Sequence, residues 1–173
     1  MPGLPPIGAE IPCSHLAINT PVRYKDQLHS IDFRGGIKHR VDVNPDDPIN
    51  SVRLRIVGHR VSAELPGDSG GSVTIEQNDI DVDAKSILRL TQQFPPRYEH
   101  RDFLSFTMIF EQPESEPVVA VTKEPMVLIG QLTQYPPRGD LYRIEKPVEL
   151  VDPDDPAKVI AVIEKFPVKV GGL

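Results

Sequence analysis

Tryptophan is absent from this chain, cysteine occurs once, at Cys13, and only 6% of the residues are aromatic. A lone cysteine excludes an internal disulfide framework and fits a reducing compartment, so a cytoplasmic location is expected. Basic residues are outnumbered, 19 Lys and Arg against 25 Asp and Glu, and the net charge of -6 comes with no basic run able to track phosphates. Nucleic acid is not an expected partner. No apolar run approaches the ~18 residues that a membrane span needs, and the start, Met1-Pro2-Gly3-Leu4-Pro5-Pro6, has neither the basic flank nor the apolar stretch of a cleaved signal. A soluble chain with no membrane partner is expected.

What is present is alternation. Apolar residues make up 39% of 173 residues, enough for one domain with a real core. Residues 1–14 hold four prolines and read as an extended N-terminal arm, with residues 15–173 as the domain. Ile31 and Phe33 precede Gly35-Gly36, and Ile37, His39, Val41 and Val43 follow it, a pattern that predicts a hairpin turning on the glycine pair. Val52, Leu54 and Ile56 face one side and Arg53 and Arg55 the other, until Gly58 permits a bulge. Further short extended runs, spaced about 8 to 12 residues apart and punctuated by Pro, Gly, Asn or Asp, predict an all-β fold. A single antiparallel β-sandwich is expected first and a closed barrel second. One short C-terminal helix is allowed over residues 156–166: Asp155-Pro156 suits a cap, and Val159, Val162, Ile163 and Phe166 share a helical face. Four of the five residues 159–163 are β-branched and argue for a strand instead. The balance tips toward the helix.

Two doublets stand out. Leu90-Thr91-Gln92-Gln93-Phe94-Pro95-Pro96-Arg97 is echoed by Leu132-Thr133-Gln134-Tyr135-Pro136-Pro137-Arg138, and Pro45-Asp46-Asp47-Pro48 by Pro153-Asp154-Asp155-Pro156. Pro95 recurs as Pro136 and Pro45 as Pro153, intervals of 41 and 108 residues, so no common repeat period exists. Each diproline stiffens a strand exit and presents an aromatic residue beside an arginine, types enriched at binding hot spots. Phe94, Arg97, Tyr98, Tyr135 and Arg138 are the candidate binding residues.

Gly67-Asp68-Ser69-Gly70-Gly71 resembles the nucleophile loop of chymotrypsin-like serine proteases over five residues. The resemblance implies His and Asp partners upstream on a first barrel, and His59 in Val57-Gly58-His59-Arg60 has no supporting motif, so Ser69 inherits no role. Arg138-Gly139-Asp140 resembles an integrin-binding tripeptide, too short to carry a function. Asp79, Asp81 and Asp83 are the candidate metal ligands, three carboxylates on one strand face about 7 Å apart. One strand alone does not converge them on an ion, and they do not fit an EF-hand. No two of the five histidines sit at ligand spacing; His39, in step with Ile37 and Val41, is expected inward with its ring hydrogen-bonded. Arg97-Tyr98-Glu99-His100-Arg101-Asp102, the densest titratable run, reads as a solvated loop in which Glu99 and His100 offer acid–base groups.

No catalytic set and no cofactor are called for by these residues. The leading expectation is a non-catalytic protein-interaction or assembly module with a protein partner or a homo-oligomer. The alternatives are a carrier of a small apolar ligand in the core and an enzyme of unrecognised type using His39, His59 or Glu99 with His100.

Overall fold

The computed structural model describes residues 3–66, 70–78 and 84–172. They form thirteen strands: β1 (Glu10–Tyr24), β2 (Gln27–Val43), β3 (Ser51–Glu64), β4 (Ser72–Gln77), β5 (Ile87–Gln93), β6 (Pro96–Leu104), β7 (Phe106–Glu111), β8 (Val118–Thr122), β9 (Met126–Leu132), β10 (Arg138–Ile144), β11 (Val148–Asp152), β12 (Asp155–Ile163) and β13 (Val168–Gly172). All pair antiparallel within one sheet, and no helix occurs among the described residues. The all-β expectation holds.

The hydrogen bonding closes on itself twice. Pairing of β12 with β1 closes a first circuit through β1, β2, β3, β4, β7, β8, β11 and β12. Pairing of β3 with β5 closes a second through β1, β2, β3, β5, β6, β9, β10 and β13. The three long strands β1, β2 and β3 belong to both: β1 meets β13 with residues 13–17 and β12 with residues 22–24. Likewise β3 meets β5 with residues 51–53 and β4 with residues 60–64.

Gly35 sits where β2 passes from one circuit to the other. A Cβ there would strike the carbonyl of Arg60 and lie 2.7 Å from the Cα of Val61. The glycine pair is thus a close crossing inside a continuous strand rather than a hairpin turn, and the β1–β2 reversal falls at Lys25-Asp26, both with positive φ. The expected bulge near Gly58 does occur, because Lys38 pairs with Gly58 and His39 with Ile56, which leaves Val57 extra.

Two further expectations change. Residues 155–163 are strand β12, not the start of a helix; their β-branched side chains fit the pleat, and Ala161 to Ile163 are the residues that close the first circuit on β1. The titratable run 97–102 lies within β6 rather than in a loop, with Tyr98, His100, Asp102 and Leu104 inward and Glu99 and Arg101 toward solvent. The proline-rich start enters β1 at Glu10.

The circuits differ in what they enclose. The first is filled by apolar side chains, among them Phe33, Phe106, Met108 and Tyr24, whose ring stacks on Phe110 at 3.8 Å. The second mixes Ile37, Leu54, Ile56, Leu88 and Leu128 with nearly all of the buried ionisable groups.

Candidate functional site

His15, His39, His59, His100 and Asp102 are all buried, and all lie on strands of the second circuit. Each arrives by the two-residue period of its strand. Cys13, His15 and Ala17 alternate inward on β1, and Ile37, His39 and Val41 on β2. On β3 the bulge at Val57 switches the inward parity from Val52, Leu54 and Ile56 to His59 and Val61. Tyr98, His100, Asp102 and Leu104 alternate inward on β6, and Tyr142 is the buried residue of β10.

Asp102 is the centre of the cluster. Its oxygens lie 3.0 and 2.9 Å from Nε2 of His39, and one of them lies 3.6 Å from Nε2 of His100. Burial opposes its ionisation, yet the imidazoles of His39 and His100 outweigh burial and hold the carboxyl well below its usual range. An ionised carboxylate only accepts, so Nε2 of His39 carries the hydrogen between them. His100 stacks edge-on to His39 at 5.3 Å, and its Nδ1 lies 2.6 Å from the hydroxyl of Tyr142. Gly130 of β9 makes room for that phenol: a Cβ on it would fall 2.5 Å from the Tyr142 ring.

The other imidazoles are held neutral. Burial lowers His59 to about 4, and burial together with the neighbouring His59 lowers His15 well below its ordinary value. Their rings meet edge-on at 5.2 Å. Burial also lowers His100, raises Tyr135 and Tyr142, and pushes the Cys13 thiol up to about 11, Asp102 adding to the rise. The interior therefore holds one firmly ionised carboxylate, neutral rings at His15, His59 and His100, and protonated phenols. Several polar atoms here find no hydrogen-bond partner among the described residues: Nδ1 of His15, Nδ1 of His39, both nitrogens of His59, Nε2 of His100 and the hydroxyl of Tyr135.

The diproline corners separate. Both follow a cis peptide, Phe94-Pro95 and Tyr135-Pro136. Phe94 is 90% exposed, whereas Tyr135 turns inward, its ring edge-on to His100 at 6.0 Å. Arg97 and Arg138 face solvent, and Tyr98 is buried with its hydroxyl donating to the Gly3 carbonyl at 2.9 Å. Of the five candidate binding residues, Tyr98 and Tyr135 join the second circuit's interior. Asp79, Asp81 and Asp83 lie outside the described residues, as does Ser69.

His39 is buried and bonded, as its parity predicts. His15, Asp102 and Tyr142 were not singled out by the sequence as members of a site. The signal for Asp102 was the alternation from Tyr98 to Leu104, masked by the density of charge around it.

No family model matches the chain, and no curated protein matches it. Among solved structures it is similar to that of DynF from the dynemicin biosynthesis pathway of Micromonospora chersina, with a TM-score of 0.71 over 99% of this chain and 84% of that one, at 16% identity. Such a likeness shows a common fold. It also corrects the leading functional expectation of a non-catalytic interaction or assembly module, since the protein that shares this fold belongs to a biosynthesis pathway.

Proposed function

We propose that the second circuit is a binding chamber for a small, largely apolar molecule carrying one polar group. The observation that carries this reading is that several buried imidazole and phenol atoms on the second circuit have no hydrogen-bond partner among the described residues, on strands that also bury Ile37, Leu54, Ile56 and Leu128. A buried polar atom left unpaired costs about 1–3 kcal/mol, and natural interiors rarely accumulate several at one place. A ligand whose polar end meets these atoms and whose body meets the aliphatic side chains removes that cost. The place of DynF in a biosynthesis pathway agrees with a small-molecule role.

Acid–base chemistry on the bound molecule is a second reading, favoured by one contact. Asp102 grips Nε2 of His39 through both oxygens, and Nδ1 of the same ring is left free to exchange a proton. A carboxylate that orients an imidazole in this way makes it an effective base.

Native mass spectrometry of protein purified from its source tests the chamber. One small molecule of defined mass per chain is expected, with at least about tenfold weaker retention in a folded His15→Leu/His59→Leu variant, from two lost hydrogen-bonding sites at roughly 1 kcal/mol each. Ligand-free protein under gentle ionisation, or equal retention by the variant, would refute the reading.

A further inference from the structure

We propose that Nε2 of His39, Nε2 of His100 and the carboxylate of Asp102 form a site for one divalent first-row transition-metal ion inside the second circuit. Their ligand atoms all lie within 4.8 Å of one another, and all three residues are buried. Metal bonds of about 2.1 Å place adjacent donor atoms roughly 3.0 Å apart in an octahedral site and 3.4 Å in a tetrahedral one. The separations of 2.9 Å from His39 and 3.6 Å from His100 to Asp102 bracket these values. Small side-chain adjustments therefore suffice.

The donor set chooses the class of ion. Two imidazole nitrogens and one carboxylate suit zinc or iron, whereas calcium and magnesium want oxygens alone. Three protein ligands leave at least one position open for a polar group of a bound molecule. The outer contact expected of a ligating histidine is also present: Nδ1 of His100 is held by the Tyr142 hydroxyl, which turns Nε2 toward Asp102. The hydrogen bond between His39 and Asp102 does not account for this aim, because it leaves Nε2 of His100 buried and oriented 3.6 Å from Asp102 with no hydrogen-bond partner among the described residues. When the ion binds, the hydrogen that Nε2 of His39 donates to Asp102 shifts to Nδ1 of the same ring, which leaves Nε2 with a lone pair for the metal.

The inference deepens the chamber reading and rests on the second circuit being the functional interior, but its test reads the metal alone. Full-length protein stripped with EDTA and dialysed is titrated with Co²⁺ and followed by visible absorption, with Zn²⁺ calorimetry in parallel. One equivalent with a ligand-field band is expected. His100→Gln should weaken Co²⁺ by at least about 100-fold, and Tyr142→Phe, which removes only an outer contact, by about 10- to 100-fold. His29→Ala, away from the cluster, should leave the affinity unchanged. Circular dichroism reports that each variant is folded; if His100→Gln is not, Tyr142→Phe carries the test. Folded wild type without a Co²⁺ band, or an undiminished band and affinity in Tyr142→Phe, overturns the site. Retention of an organic molecule in EDTA without any Co²⁺ uptake would sink the metal and spare the chamber. A Co²⁺ band in protein that retains no organic molecule would do the reverse.

Discussion

His59 faces the interior because a single extra residue, Val57, shifts the parity of β3. Neither of its nitrogens has a partner among the described residues, and burial lowers it from 6.5 to about 4. Around it, the charge of Asp102 raises its proton affinity and His39 lowers it, both less than burial does. Since the folded form resists a proton that the unfolded chain accepts, stability is complete above pH 6.5 and falls as the pH drops toward 4. The loss from this one group is on the order of 3 kcal/mol, using about 1.36 kcal/mol per unit. His15 shifts in the same direction and adds to it. Asp102, depressed below 3.8, contributes its own loss only at still lower pH. Urea midpoints should therefore hold level from pH 7.5 to about 6.5 and decline from there to pH 4.5, and His59→Leu should flatten the decline. A midpoint that holds constant or rises over that lower range would contradict this assignment. At this scale the sequence was half legible. The inward position of His39 followed from its step with Ile37 and Val41, while that of His59 required carrying the Gly58 bulge one residue further. The approach of Asp102 to His39, 63 positions apart, is a product of sheet closure that no local pattern encodes.

Among the elements, strands with clean alternation were readable and those with mixed signals were not. In β12 the cap-like Asp155-Pro156 competed with β-branched residues, and tertiary pairing with β11 and β1 decided for the strand. In β6 the outward Arg101 makes ion pairs with Glu99 and with Glu145, so charge that resembled a loop is one solvated face. The N-terminal segment shows what composition hides. Gly8 donates to the Val41 carbonyl at 2.7 Å, Val41 donates back to Ala9 at 2.9 Å, and Gly3 accepts from Tyr98. Tyr98 faces inward and Leu4 packs on the core, so residues 3–9 cross an end of the second circuit from β2 to β6. Tyr135 belongs to the same end, since its loop follows Leu132, the partner of Tyr98. Deleting residues 1–9 is expected to speed uptake of a chamber ligand several-fold and to abolish hydrogen-exchange protection at the Val41 amide. An unchanged association rate, with Val41 deprotected, would mean that the molecule enters elsewhere.

The whole molecule is two circuits that cannot be separated without cutting three strands. Each of β1, β2 and β3 places one half of its length against the apolar interior and the other against the histidine-bearing one. Division of labour follows: the first circuit stabilises, and the second, which tolerates unpaired polar atoms, draws on that stability. If so, damage to the apolar side must reach the polar side at full strength. Phe110 is buried and stacked on Tyr24, and Phe110→Ala should cost about 3–5 kcal/mol through lost burial and the cavity it leaves. The shared strands make local loss of the first circuit alone unfavourable, because it would strip one half of β1, β2 and β3 while the other half stayed paired. One transition is therefore expected rather than two. In a urea titration followed by NMR, the methyl signal of Met108 in the first circuit and the imidazole signals of His100 in the second should vanish at one midpoint. Phe110→Ala should lower both midpoints equally. A variant in which Met108 is lost early while His100 keeps the wild-type midpoint would show that the histidine circuit holds itself together, and its unpaired groups would then need support from within, as a bound metal or ligand would supply.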